Sequence, residues 1–242
     1  MVPHVTGLDH AVILVRDLDR ARETYERLGF TLTPRGHHSL GSQNHCIMFE
    51  RDYLELMALP PEPPAAFRYF ADFLAQREGV GALALATDDA AAAHAELVKA
   101  GIAAEAPLAL SRPVANLGEA CFTLVQLSPA ETPGFRTFVC QHHTRQIVWR
   151  PEYQRHANGA ESINSVTIAT SDSTRYARLF DDLPVAYAGA EASAVAAIRL
   201  RVKDKKAAAK KLKHGGFSFV ALKGGALAVG ADQAHGILLV FD

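Results

Sequence analysis

One local order, a strand, a helix and three further strands, occurs between residues 8 and 59 and again between residues 80 and 143. A unit of this kind exposes one apolar face, so a chain that repeats it is constrained to pair its copies. In the first copy LDHAVILVR (8–16) has the composition of a buried strand, and Asp17 then stands as a helix cap. Leu18, Ala21, Tyr25 and Leu28 recur at helical spacing before Gly29. Three β-rich runs follow, FTLTPR (30–35), NHCIMFE (44–50) and DYLELMAL (52–59), divided by turn residues such as Gly36 and the Arg51-Asp52 pair.

The second copy matches element by element. VGALALATD (80–88) is a strand, DAAAAHAELVKAG (89–101) is a helix closed by Gly101, and IAAEAPLAL (102–110), ACFTLVQLS (120–128) and FRTFVCQHH (135–143) are strands. Between the copies, four prolines within residues 60–64 lead into a helical connector. A polar, turn-rich stretch marks a boundary near residues 150–161, separating a unit over residues 1–150 from a second over 162–242. That second part starts the pattern again with SVTIATSD and a helix capped by Asp172 or Ser173, then AIRLRVKD and KKAAAKKLKHGG. Its first copy is short of one strand and its second is nearly complete, so the C-terminal pair is a degenerate version of the N-terminal one. The lysines of KKAAAKKLKH fall opposite Leu212 and the alanines, which makes them a solvated helix face.

Composition narrows the function classes. With 25 Lys and Arg against 26 Asp and Glu, the chain has no basic surplus for sequence-independent nucleic-acid binding. No apolar run reaches the roughly 18 residues of a membrane span, and MVPHVTGLDH has no basic segment followed by an apolar one. The three cysteines, Cys46, Cys121 and Cys140, fit neither a disulfide framework nor a CxxC metal site and read as buried thiols. A soluble cytoplasmic protein is expected. No GxSxG, P-loop or GxGxxG motif follows a strand, which removes the commonest hydrolase, NTPase and dinucleotide readings.

Tandem βαβββ units opening on LDHAVILVRDLDRA resemble the vicinal oxygen chelate superfamily of glyoxalases, extradiol dioxygenases and bleomycin-resistance proteins. The stretch HHSLGSQNHCIMFERDYLELMAL, with His38, Gly41, Ser42, Asn44 and Tyr53 to Leu56, is similar to its glyoxalase-like domain group. The resemblance implies an α+β fold in which paired units form two half-barrel domains, with a divalent metal on the inner wall held by residues of the first and last strands. In the first unit those positions are His10 and Glu55. Both interrupt apolar strands, where an unpartnered carboxylate is costly to bury. In the second unit Ala82 stands opposite His10, and the last strand offers Gln141, His142 and His143; neighbouring strand residues point to opposite faces, and His142 is taken as the inward one. His10, Glu55 and His142 would then form a two-histidine, one-carboxylate set suited to Zn, Fe, Mn or Ni.

Each assignment has a plainer counterpart. His10 fits a core histidine bonded to a carbonyl, Glu55 a partner of Arg112, and His142 a strand end. His38 and Asn44 flank a glycine turn and either face a ligand or form the turn. Arg112 suits a substrate carboxylate through its planar fork, or solvent, and Trp149 is a ligand-facing rim or an inter-domain anchor. The expected function is metal-assisted lyase, isomerase, hydrolase or dioxygenase chemistry on a small oxygen-bearing substrate, with Glu55 as ligand or proton carrier. The alternative is metal-free binding and sequestration of a small molecule. SVTIAT and AIRLRV carry no histidine, which counts against the extradiol pattern of metal in the C-terminal pair. A monomer and a homodimer both satisfy the sequence.

Overall fold

The computed structural model describes residues 3–114 and 117–242. The first unit comprises β1 (Gly7–Leu14), α1 (Leu18–Arg27), β2 (Gly36–His37), β3 (Gln43–Met48) and β4 (Tyr53–Ala58). The connector helix α2 (Arg68–Gln76) leads to the second unit, with β5 (Gly79–Ala86), α3 (Ala90–Lys99), β6 (Leu108–Val114), β7 (Gly118–Gln126) and β8 (Arg136–His142). These strands make one sheet in the order β2-β3-β4-β1-β5-β8-β7-β6. Each unit sets its last strand parallel to its first, and the two units join antiparallel along β1 and β5. The sheet curves until β2 and β6, at its two ends, come into contact. Asp17 and Asp89 cap α1 and α3 by accepting hydrogen bonds from the backbone of Arg20 and Ala92, each contributing about 1 kcal/mol.

The turn α4 (Arg145–Val148) leads to the second sheet: β9 (Ala160–Ala169), α5 (Ser173–Phe180), β10 (Val185–Ala188), β11 (Ala194–Val202), α6 (Lys205–His214), β12 (Phe219–Ala221), β13 (Leu227–Val229) and β14 (Leu238–Phe241). Its order is β10-β9-β11-β14-β13-β12. Side chains from the sheets and helices of both halves, among them Tyr25, Leu54, Phe135, Tyr176, Phe180 and Phe241, merge into one core. Backbones of the two halves also meet directly. A Cβ on Gly134 would lie 1.9 Å from the Ser193 carbonyl oxygen, and one on Gly236 would lie 2.1 Å from that of Glu78.

Three sequence expectations are corrected. FTLTPR is not a strand: Pro34 has no N–H to give a ladder, and the segment is held by the Thr33 hydroxyl, which accepts from the Cys46 amide at 2.9 Å, so the short strand falls at Gly36–His37 instead. Pro107 likewise delays β6 to Leu108, leaving residues 102–107 irregular with one isolated bridge at Ala104. The third unit lacks two strands rather than one. β10 runs parallel to β9 and so holds the place of a unit's last strand, and the two strands before it are missing.

His156 ties the inter-sheet segment to the first sheet. Its Nδ1 accepts from the Thr31 amide and its Nε2 donates to the Met48 carbonyl, both at 3.0 Å. The bond from Thr31 needs a neutral ring, because a protonated Nδ1 cannot accept it, and burial, outweighing the Met48 bond, holds the pKa at about 4. The folded value lies below the unfolded 6.5, so this stability is complete above pH 6.5 and is lost as the pH falls toward 4. Between pH 7 and pH 5 the loss amounts to about 2 kcal/mol. Unfolding free energies from urea titrations at the two pH values should differ by that much more in the wild type than in His156→Gln; equal differences would remove this assignment.

Candidate functional site

The inner wall of the first sheet encloses a cavity of about 500 Å³, within the usual range for small-molecule sites. Met57, Phe70, Leu110, Phe122, Leu124 and Phe138 give it apolar walls. His10 and Glu55, buried at 3% and 7% exposure, stand on neighbouring strands where Val12 of β1 pairs with Glu55 of β4. His10 is stacked on Tyr53, with ring centroids 4.3 Å apart.

The ladder between β1 and β5 slips between Leu8 and His10. Such a bulge re-aims a side chain, and it accounts for Asp9 reaching the same histidines that strict alternation would turn it from. His10 Nδ1 donates to Asp9 Oδ2 at 2.5 Å, and His142 Nε2 donates to the same oxygen at 3.1 Å. Burial pushes the Asp9 carboxyl up, but the two hydrogen bonds outweigh it and hold the pKa at about 2. With its proton on Nδ1, His10 turns a lone pair at Nε2 toward Glu55 Oε2, 3.6 Å away and beyond hydrogen-bonding reach. Two acceptors at this separation suit two donors of one ion, each bonded at about 2.1 Å, and a carboxylate behind the imidazole is the usual support of such a ligand. The donors present therefore fit a divalent cation.

On the other side of Glu55, Asn44 Nδ2 donates to Oε1 at 2.6 Å. It also lies 3.4 Å from His38 Nε2, while His38 Nδ1 meets the Ser42 hydroxyl at 2.8 Å. Burial lowers the pKa of His38, with the Glu55 charge opposing that shift. His38 Nε2 is thus an acceptor, reached by the Asn44 amide through a long contact and standing 3.8 Å from Glu55 Oε1. Arg112 lines the cavity beside this group, and Glu55 is bonded to Asn44 rather than to Arg112.

The structure brings His10, Glu55, His38, Asn44 and Arg112 to one cavity. His142 turns inward, edge-on to Phe122 and Trp149, whereas His143 is exposed and bonded to Thr123. Yet His142 meets Asp9, not Glu55. The register explains why. The pairs His10↔Ala84 and Val12↔Ala82 are exchanged by the half-turn that relates the two units, so Ala82 is the counterpart of His10. Glu55 lies beside Val12, and beside Ala84 in β8 lies Phe138. The second unit thus presents an alanine and a phenylalanine where the first presents its donors. Trp149 packs edge-on against Tyr53 and His142 under the Arg145 guanidinium and is not among the cavity's lining residues. Asp9 and Cys140 escaped the sequence reading, the first because of the bulge and the second because an apolar strand disguised it. Their ligand atoms and that of His142 lie within 4.8 Å of one another.

A family model described as a glyoxalase-like domain matches residues 8–184. Among solved structures the chain is similar to a hypothetical protein from Staphylococcus aureus, with TM-score 0.68, 13% identity and 98% of each chain covered. It is also similar to homoprotocatechuate 2,3-dioxygenase from Arthrobacter globiformis, with TM-score 0.63 and 16% identity over 100% of this chain and 81% of that one. A triple mutant of 4-hydroxymandelate synthase from Streptomyces coelicolor gives TM-score 0.67 and 12% identity over 100% and 92%. At such identities the likeness is one of fold. No curated protein sequence matches the chain. Among the described residues no helix is long and apolar enough to cross a membrane.

Proposed function

Since the chain belongs to the glyoxalase-like domain family of the vicinal oxygen chelate superfamily, we propose that the cup of its first sheet is an active site for metal-assisted proton-transfer chemistry, of isomerase or lyase type, on a small oxygen-bearing substrate. The observation that carries this reading is the pairing of His10 Nε2 and Glu55 Oε2 at 3.6 Å on the wall of the cavity, with Asp9 behind one and Asn44 behind the other. His10 and Glu55 would hold a divalent ion, Zn, Fe, Mn or Ni, which supplies Lewis acidity toward substrate oxygens. The apolar walls bind the carbon skeleton and exclude water. Arg112 fixes an anionic group of the substrate through its planar fork. His38, neutral through burial and turned by Ser42, accepts a proton at Nε2. Asn44 keeps Glu55 in place while it does so. Both units come from one chain, so the site needs no second copy, and a reducing cytoplasm suits its three free cysteines.

Elemental analysis of protein purified without chelator or affinity-tag metal tests the reading. The His10→Ala/Glu55→Ala double mutant should carry about one equivalent of metal less than the wild type. Equal metal content in the two, with Mn, Fe, Ni and Zn each supplied, sinks it. A second reading, metal-free sequestration of a small apolar molecule, is favoured by one observation, the Ala82 and Phe138 pair in the second unit. It requires His10→Ala to leave ligand affinity within about twofold of wild type, well under the 1.4 kcal/mol that a tenfold change represents.

A further inference from the structure

Beside the His10–Glu55 pair lies a second set of donors that is chemically different. We propose that Asp9, Cys140 and His142 form a binding site of their own for a zinc-class cation, held by one carboxylate oxygen, one sulfur and one imidazole nitrogen. Their ligand atoms all lie within 4.8 Å of one another. A tetrahedral zinc with bonds of about 2.0–2.3 Å separates its donors by roughly 3.3–3.7 Å, so small side-chain rotations close the set. Cys140 and His142 are two apart on β8 and face the same side of the sheet, and the β1 bulge brings Asp9 to them across β5.

A second observation points to a ligand there. His142 donates through Nε2 to Asp9, and its Nδ1 is buried with no hydrogen-bond partner among the described residues. A lone pair enclosed in this way is costly, and a cation satisfies it once Asp9 and the ring readjust. Cys140 is 2% exposed, yet it lines the cavity, which gives the ion its way in. Thiolate with imidazole selects zinc over magnesium or manganese, whereas His10 and Glu55 offer only nitrogen and oxygen. Binding forms a metal–sulfur bond and releases the Cys140 thiol proton to solvent, with no change of oxidation state. Asp9 bonds to both His10 and His142, so an ion here would fix the carboxylate behind His10 and join the two units across the middle of the sheet.

The full chain, stripped by chelator, is titrated with cobalt(II). A near-ultraviolet thiolate-to-cobalt charge-transfer band is expected in the wild type, in Cys46→Ser and in the His10→Ala/Glu55→Ala double mutant. It should be lost in Cys140→Ser, with zinc affinity lower by on the order of tenfold or more in that variant and in His142→Ala. Zinc-edge X-ray absorption of the wild type, which needs no variant to fold, should show one sulfur at about 2.3 Å. No band in the wild type, a band that survives Cys140→Ser, loss of the band in the double mutant, or a shell of nitrogen and oxygen alone would each overturn the proposal. The double mutant separates this site from the catalytic reading, since it removes the other donor pair and leaves these three residues.

Discussion

Replacing Asp9 by alanine is expected to lower stability by about 3–5 kcal/mol, the usual result of stripping one partner from a buried charged group, and the melting temperature by roughly 10 °C. The carboxylate is 1% exposed and is the acceptor for His10 Nδ1 and His142 Nε2, which have no second acceptor among the described residues. Alanine would leave the His10 Nδ1 and His142 Nε2 donors buried together on the inner wall. Asparagine keeps the shape and one acceptor, so Asp9→Asn should lose less, about 2 kcal/mol, close to what a pKa of about 2 against an unfolded 3.8 represents. The sign follows from linkage. The folded value is depressed, so this contribution is complete above pH 3.8 and disappears as the pH falls toward 2. Thermal melts at pH 7 decide the matter, and an Asp9→Ala protein melting within 3 °C of wild type would mean that the network does not hold the wall together.

Gly134→Ala should be nearly as damaging, at about 4 kcal/mol, for a reason unrelated to charge. Gly134 has φ +93° and its added methyl would lie 1.9 Å from the Ser193 carbonyl oxygen, a backbone atom of the other half that has no rotamer to escape into. The left-handed conformation alone costs an alanine about 1–2 kcal/mol, and the rest is the displacement of the backbone before β11. Gly101→Ala separates the two causes. Gly101 also has positive φ, +72°, but nothing lies within 4 Å of its would-be Cβ, so its variant should lose only the conformational 1–2 kcal/mol. Chemical denaturation of both variants reads the difference. Losses of equal size would show that the approach of the two halves at Ser193 relaxes at no cost.

Hydrophobic patterning made most of the architecture legible, because the helix caps at Asp17 and Asp172, the buried Leu18, Ala21 and Tyr25, and Leu212 against its lysines are all local signals. Where a single proline or a slipped register decided the outcome, periodicity failed. Pro34 and Pro107 moved strand boundaries that composition alone placed too early. Part of the site was readable: His10 and Glu55 as polar residues in apolar strands, and His38 and Asn44 as the flanks of a glycine turn. Asp9 was not, since an alternation of two per residue pair assigns it to the face opposite His10 and only a bulge reverses that. The counterpart of Glu55 was equally hidden: Phe138 is found by cross-strand pairing, and a reader scanning β8 for polar side chains is drawn four residues further, to His142.

The connector is more than a link between two copies of one unit. Ala65, Ala66, Phe67, Tyr69 and Phe70, on α2 and the turn before it, form part of the cavity wall, while every donor atom of the site belongs to the sheet or the turn between β2 and β3. Chemistry and capacity therefore reside on separate stretches of sequence. The segment under the weakest pairing constraints can lengthen, shorten or change its aromatic residues without disturbing a single ladder hydrogen bond. A lineage carrying this fold could exchange one substrate for another by editing about a dozen consecutive codons, leaving the reactive floor untouched.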